Sequence, residues 1–135
     1  MRQDNDRLIV VDAANVIGSR PDGWWRDRAG AARRLLTKMS RLDERLEQPA
    51  ELVVVLEGAA KAAVTSPDPE FADLHIVRAD GSGDDAIVGV VAAALAEGGD
   101  RPITVVTADR GLRDRVEAIG ATTVGPRWLL DRIGS

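Results

Sequence analysis

Asp12, Glu57 and Asp109 each stand at or just past the end of a short apolar run, and Asp84 and Asp85 open a stretch of helical character. Carboxylates gathered together repel and raise one another's pKa unless something positive sits among them. Apart from Lys61, four residues after Glu57, no lysine lies near these acids in sequence, and Arg78 and Arg110 offer only partial compensation. A divalent cation with oxygen ligands is the more natural answer. Carboxylate and water suit Mg²⁺ or Mn²⁺, and phosphate chemistry is the expected use of such a site. Asn15, three residues after Asp12, puts an amide in the same turn, where it either holds a ligand or water or caps the turn itself. Taken singly, an Asp after a strand or before a helix is most often a cap. Four at once, Asp12, Glu57, Asp84 and Asp109 with Asp85 as a neighbour, are harder to explain that way.

The rest of the composition narrows the chemistry. The 135 residues include no Cys and one His, so a thiolate nucleophile, a Cys-ligated metal and a multi-His metal site are excluded. His75 lies within a strand-like run and reads as buried structure. With 44% hydrophobic and 30% charged residues the chain is expected to fold as one globular domain spanning 1–135. The polar segment Met1 to Arg7 and the lack of any apolar run near the roughly 18 residues of a membrane span predict a cytoplasmic protein without a membrane partner.

The acids need elements to hold them. Leu8–Val11, Leu52–Leu56 and Ile103–Val106 are short, apolar and rich in β-branched residues, which predicts buried strands. Leu74–Val77 and Ala121–Val124 are weaker members of the same set. Runs apolar throughout favour a parallel sheet covered on both faces. Between them, Asp27–Leu46 carries apolar residues at three-and-four spacing, Asp84–Ala96 is a nearly all-apolar helix capped by Ser82 or Asp84 and stopped at Gly98-Gly99, and Arg110–Ile119 ends at Gly120. Trp128–Ile133 forms a last short helix whose apolar residues read as a core-facing stripe in preference to an exposed patch. The segment Gly58–Asp73 is the least regular and reads as a loop or flap. Alternating strands and helices predict a three-layer α/β/α sandwich on a mostly parallel five-stranded sheet. In such a sheet ligands bind at the carboxyl ends of the strands, where the three strand-end acids converge.

Charge is unevenly spread over the net −4. Arg20 to Arg45 holds eight basic and four acidic residues and is +4, leaving −8 elsewhere. Arg20, Trp24, Trp25, Arg26 and Arg28 follow soon after Asp12, and arginine with tryptophan suits phosphate pairing and base stacking on single-stranded or looped RNA. Arg20, Arg26, Arg28 and Arg110 are the candidate phosphate contacts, beside the more ordinary reading of helical arginine as a solvated face. Gly81-Ser82-Gly83-Asp84-Asp85-Ala86 fits the spacing of a dinucleotide fingerprint but puts two carboxylates where a pyrophosphate must sit, and is rejected.

Val11-Asp12-Ala13-Ala14-Asn15-Val16-Ile17 resembles the first-strand signature of NYN domains, a branch of the PIN-like nucleases, where Asp-Gly-x-Asn is usual. Val105-Val106-Thr107-Ala108-Asp109-Arg110 is similar to the family's later strand ending in Thr-Ser-Asp or Ser-x-Asp, and Gly83-Asp84-Asp85-Ala86-Ile87 to the segment in which an Asp opens a helix. The departures are Ala13 in place of Gly and Ala108 in place of Ser. The resemblance implies strand order 3-2-1-4-5 and an acidic pocket that binds Mg²⁺ or Mn²⁺ and cleaves RNA. Asp12, Asp84 and Asp109 match the metal-binding acids, with Asp85 adjacent, and Asn15 matches the polar residue of the first motif. Glu57 fits the acid after strand two. The implied activity is metal-assisted hydrolysis of RNA, with Asp84, Asp85 or Glu57 orienting the attacking water. Relatives are often dimers, which makes a homodimer an expectation. The alternatives are an inactive module of the same fold that binds RNA or protein, and a small-molecule phosphatase or nucleotide-binding enzyme using the same pocket.

Overall fold

A computed structural model describes residues 7–19, 23–42, 50–64, 68–98 and 101–133. Five strands, β1 (Arg7–Asp12), β2 (Ala50–Leu56), β3 (Leu74–Arg78), β4 (Ile103–Val106) and β5 (Thr122–Val124), form one sheet in the order β3-β2-β1-β4-β5. All four pairings are parallel. The apolar runs are the strands, as expected, because β1, β2 and β4 are covered on both faces.

Alternation along the strands sorts their side chains into two layers. Ile9, Val11, Leu52, Val54 and Leu56 pack against α1 (Ala13–Gly18), α2 (Arg28–Met39) and α5 (Pro126–Ile133). Leu8, Val10, Val53, Val55, Ile103 and Val105 pack against α3 (Gly83–Ala96) and α4 (Arg110–Ala118). The three-layer α/β/α sandwich is therefore present, with a core on each side of the sheet. Trp128, Leu129, Leu130 and Ile133 pack into the first core, so the last helix presents its apolar stripe inward.

Four local readings change. Helix α1, which follows β1 without a loop, was expected only as a turn. Helix α2 ends at Met39 with Ser40 as its C-cap; the Ser40 Oγ donates to the Thr37 carbonyl, and Leu42 is still buried one turn later. The part of the expected helix beyond Leu42 lies outside the described residues. Gly58–Asp73 is not a plain loop: it carries two 3-10 helices, Gly58–Ala63 and Pro69–Phe71, the first packed on α2. His75 is exposed, not buried, because β3 is an edge strand with incomplete cover. Among the described residues no helix is long and apolar enough to cross a membrane.

Candidate functional site

The acids collect at the carboxyl edge of the sheet for a periodic reason. Asp12 follows Leu8 and Val10 in alternation, Glu57 follows Val53 and Val55, and Thr107 follows Ile103 and Val105. All three continue the rows that face α3 and α4, so they meet above the second core where those helices begin.

Asp12 is 6% exposed and Thr107 fully buried, the two buried polar side chains among the described residues. The Thr107 hydroxyl donates to Asp12 Oδ2 at 2.9 Å and accepts from the Asp109 backbone N–H at 3.1 Å. Asp12 Oδ1 accepts from the Asn15 N–H at 3.3 Å, which makes Asp12 the N-cap of α1. Asn15 reaches across the sheet edge, its Oδ1 accepting from the Ala108 N–H at 2.8 Å. That bond uses backbone, so the serine missing at Ala108 costs nothing there, and the hydroxyl on Asp12 comes from Thr107. Neither the Thr107 contact nor its support was anticipated. Arg113 Nε donates to the Thr107 carbonyl at 2.9 Å and the Thr107 N–H bonds Val124 O, so the residue is held on both sides. The alternation of β4 alone pointed to Thr107.

Asp109 caps α4 by accepting from the Leu112 N–H at 2.9 Å, and its side chain remains at the surface. The ordinary cap reading thus holds for Asp12 and Asp109. Asp84 is different: Ser82 is the N-cap of α3, bonding the Asp85 N–H, so the half-buried Asp84 is not spent on capping. Glu57 accepts a short hydrogen bond from the Gly83 N–H and ties the end of β2 to the start of α3. A Cβ at Gly83 would stand 2.8 Å from the Glu57 carboxylate, which is why that close approach needs glycine.

These acids share an electrostatic field. Burial pushes the Asp12 carboxyl above its ordinary range, the charges of Asp84 and Glu57 add to the rise, and the bonds from Thr107 and Asn15 oppose it. Asp84 is also raised, first by burial and then by Asp109 and Glu57, while Arg115 works against them. Arg115, which pairs with Asp85 at 3.0 Å, is the cation whose charge opposes the rise at Asp84. It was not among the expected compensating residues, since Arg78 and Arg110 were. Lys61, for its part, donates to the Ala79 carbonyl at 2.9 Å in the loop leading to α3.

All donors facing this edge are oxygens, the set that hard cations prefer. Among the described residues no three acids stand close enough to enclose one ion directly. Mg²⁺ tolerates such spacing, because it keeps several waters and is commonly held by only one or two carboxylates. Asp12, Asp84 and Asp109 are the residues of this chain that fit that role, and Asp85 is drawn toward Arg115.

The Trp24–Arg26 turn of the arginine and tryptophan segment lies against α1, the helix that Asp12 caps. Arg20 lies outside the described residues. Trp25 is 55% exposed in a 3-10 turn, Trp24–Arg26, and the Arg26 guanidinium lies 5.8 Å from its ring centre. Arg28 opens α2 behind Asp27, which caps it through the Gly30 N–H, and Arg28 lines a cleft shared with Ala14 and Glu57. Arg110, the first residue of α4, is exposed beside Asp109.

No family profile matches the chain, and no curated protein does. Among solved structures, Rae1 (YacP) from Bacillus subtilis superimposes with a TM-score of 0.72 at 19% identity, over 94% of this chain and 73% of that one. A tryptophan-to-leucine mutant of the same protein gives 0.71 at 18%, over 95% and 75%. At this identity the likeness is one of fold.

Proposed function

We propose that the chain is a divalent-metal-dependent ribonuclease of the NYN/PIN-like type, hydrolysing RNA phosphodiester bonds at the carboxylate edge. The observation that carries this reading is the convergence of Asp12, Asp84, Asp109 and Glu57 at the ends of β1, β2 and β4 and the start of α3, in one field that Arg115 only partly offsets.

Bound Mg²⁺ or Mn²⁺ would supply polarisation of the phosphoryl oxygen and a more acidic water. Everything else falls to the chain. Asp12 is fixed by Thr107 and Asn15 and is the anchoring ligand. Asp84, spared from capping and raised in pKa by burial and its neighbours, is placed to take the proton of the attacking water. Asp109 faces Asp84 across the edge, and Asp85, held by Arg115, is the reserve acid. Glu57 holds the start of α3, and with it Asp84, in place. A phosphodiester entering this field is repelled by the acids, so Arg26, Arg28 and Arg110 serve to draw it in.

Calorimetric titration of Mn²⁺ into the wild type and Asp12→Asn, together with cleavage of single-stranded and structured RNA, tests the reading. Expected are Mn²⁺ binding by the wild type, loss of it in Asp12→Asn, and loss of cleavage in Asp12→Asn and Asp109→Asn with circular dichroism unchanged. Cleavage that survives both substitutions would sink the proposal. The spacing of the acids favours a second reading, a catalytically inactive module of the same fold that binds RNA. RNA retention without Mn²⁺ binding would select it.

A further inference from the structure

Beside the carboxylates the surface opens into a cleft of about 400 Å³. It is lined by Ala14 and Ile17 of α1, Gly58 and Ala60 of the first 3-10 helix, and Gly81 of the β3–α3 loop. Its two charged side chains are Arg28 and Glu57. This size lies within the roughly 300–1,000 Å³ of small-molecule sites. The cleft is also pre-formed. The Ala79 N–H bonds Leu56 O, Lys61 bonds Ala79 O, and Glu57 bonds the Gly83 N–H, so the loop bearing Gly81 is tied on both sides.

We propose that this cleft is a nucleobase subsite, taking one unstacked base of the RNA next to the bond to be cut, with guanine preferred; in its RNA form the inference rests on the ribonuclease reading above. The walls are methyl groups, bare backbone and one isoleucine, which leave room for a flat ring and offer it apolar faces. A carboxylate only accepts hydrogen bonds, and Glu57 keeps acceptor capacity beyond its bond to Gly83. Guanine answers with two adjacent donors, N1–H and the exocyclic amine. Adenine and cytosine present an amine next to an acceptor nitrogen, and uracil an N–H between two repelling carbonyls. Arg28 carries the opposite charge in the same cleft, where a phosphate of the bound nucleotide would meet it. Trp25, exposed three residues earlier with Arg26 against its ring, suits stacking of a flanking base.

The test is a two-dimensional NMR titration of the full chain, without added metal, using GMP, AMP, CMP, UMP and ribose 5-phosphate. GMP is expected to bind at least about tenfold tighter than UMP and ribose 5-phosphate, with shifts centred on residues 14–17, 57–60 and 81. A Cβ at Gly81 meets nothing within 4 Å, so Gly81→Leu has room to start an apolar side chain at the cleft's lining; it should weaken GMP about tenfold with an unchanged unfolding midpoint. Glu57→Gln should erase the preference for GMP over AMP. Equal binding of all five probes, no binding at millimolar concentration, or Gly81→Leu behaving as wild type would overturn the subsite. RNA cleavage is read separately. Base-selective binding with no cleavage keeps the subsite and removes the nuclease, whereas cleavage with no base-selective binding does the reverse.

Discussion

The Thr107 hydroxyl donates to Asp12 Oδ2 at 2.9 Å across 95 residues of sequence, and both side chains are buried. The same oxygen accepts from the Asp109 N–H, so one hydroxyl orients two of the candidate acids. Thr107→Val leaves the shape of the side chain but takes a partner from both. A buried group left unsatisfied costs about 1–3 kcal/mol. Urea denaturation should show a loss of that order for Thr107→Val and most of it restored in Thr107→Ser.

Asp12 also makes stability depend on pH. Its pKa is raised in the fold, chiefly by burial, so the folded state binds the proton more tightly than the unfolded chain. The favourable contribution is then complete below the unfolded value of 3.8 and is lost as pH rises through the folded value. Asp12→Asn removes the charge and keeps one oxygen, which caps α1 while its amide NH2 turns to the Thr107 hydroxyl as a donor. Its melting temperature should exceed that of the wild type at pH 7 in the absence of metal, and the gap should close toward pH 3.5. A gap that widens on acidification would contradict the assignment.

Glu57 joins β2 to α3 by binding the Gly83 N–H. A carboxylate at a helix N-terminus contributes through the hydrogen bond and the helix dipole together, about 1–2 kcal/mol. Glu57→Ala should lose that amount in chemical denaturation. Glu57→Gln keeps an acceptor and should lose less than half of it.

Arg26 and Arg28 are exposed, and Arg28 shares a cleft with Glu57. Phosphate contacts release counterions, and each adds about 0.7 to the salt slope for a single strand. The double variant Arg26→Ala, Arg28→Ala should bind single-stranded RNA more weakly at moderate salt, with a slope reduced by about one to one and a half. Filter binding across a salt series measures both quantities, and equal affinity with an equal slope would remove these residues from the interface.

By itself the sequence determined the strands and most helices, because apolar runs and three-and-four spacing are local signals written over 4 to 14 neighbouring residues. It also placed Asp12, Glu57 and Asp109 at strand ends and Asp84 at a helix start. It missed α1, whose six residues look like a turn until Asp12 is seen capping them. Exposed His75 was misread because an apolar run does not say whether its strand lies at the edge of the sheet.

The partners of the acids were decided by tertiary structure alone. Strand order β3-β2-β1-β4-β5 sets Val11 beside Val106, and this brings Thr107 onto Asp12 and Ala108 onto Asn15. Helix packing decides that Glu57 spends a hydrogen bond on Gly83, that Arg115 compensates Asp85, and that Ala14, Glu57 and Gly81 border one cleft. Period-two and period-3.6 patterns repeat along the chain and fix which face a side chain takes. Which distant residue waits on that face depends on register and on the sign of nearby charges, and these exist only once the layers have closed.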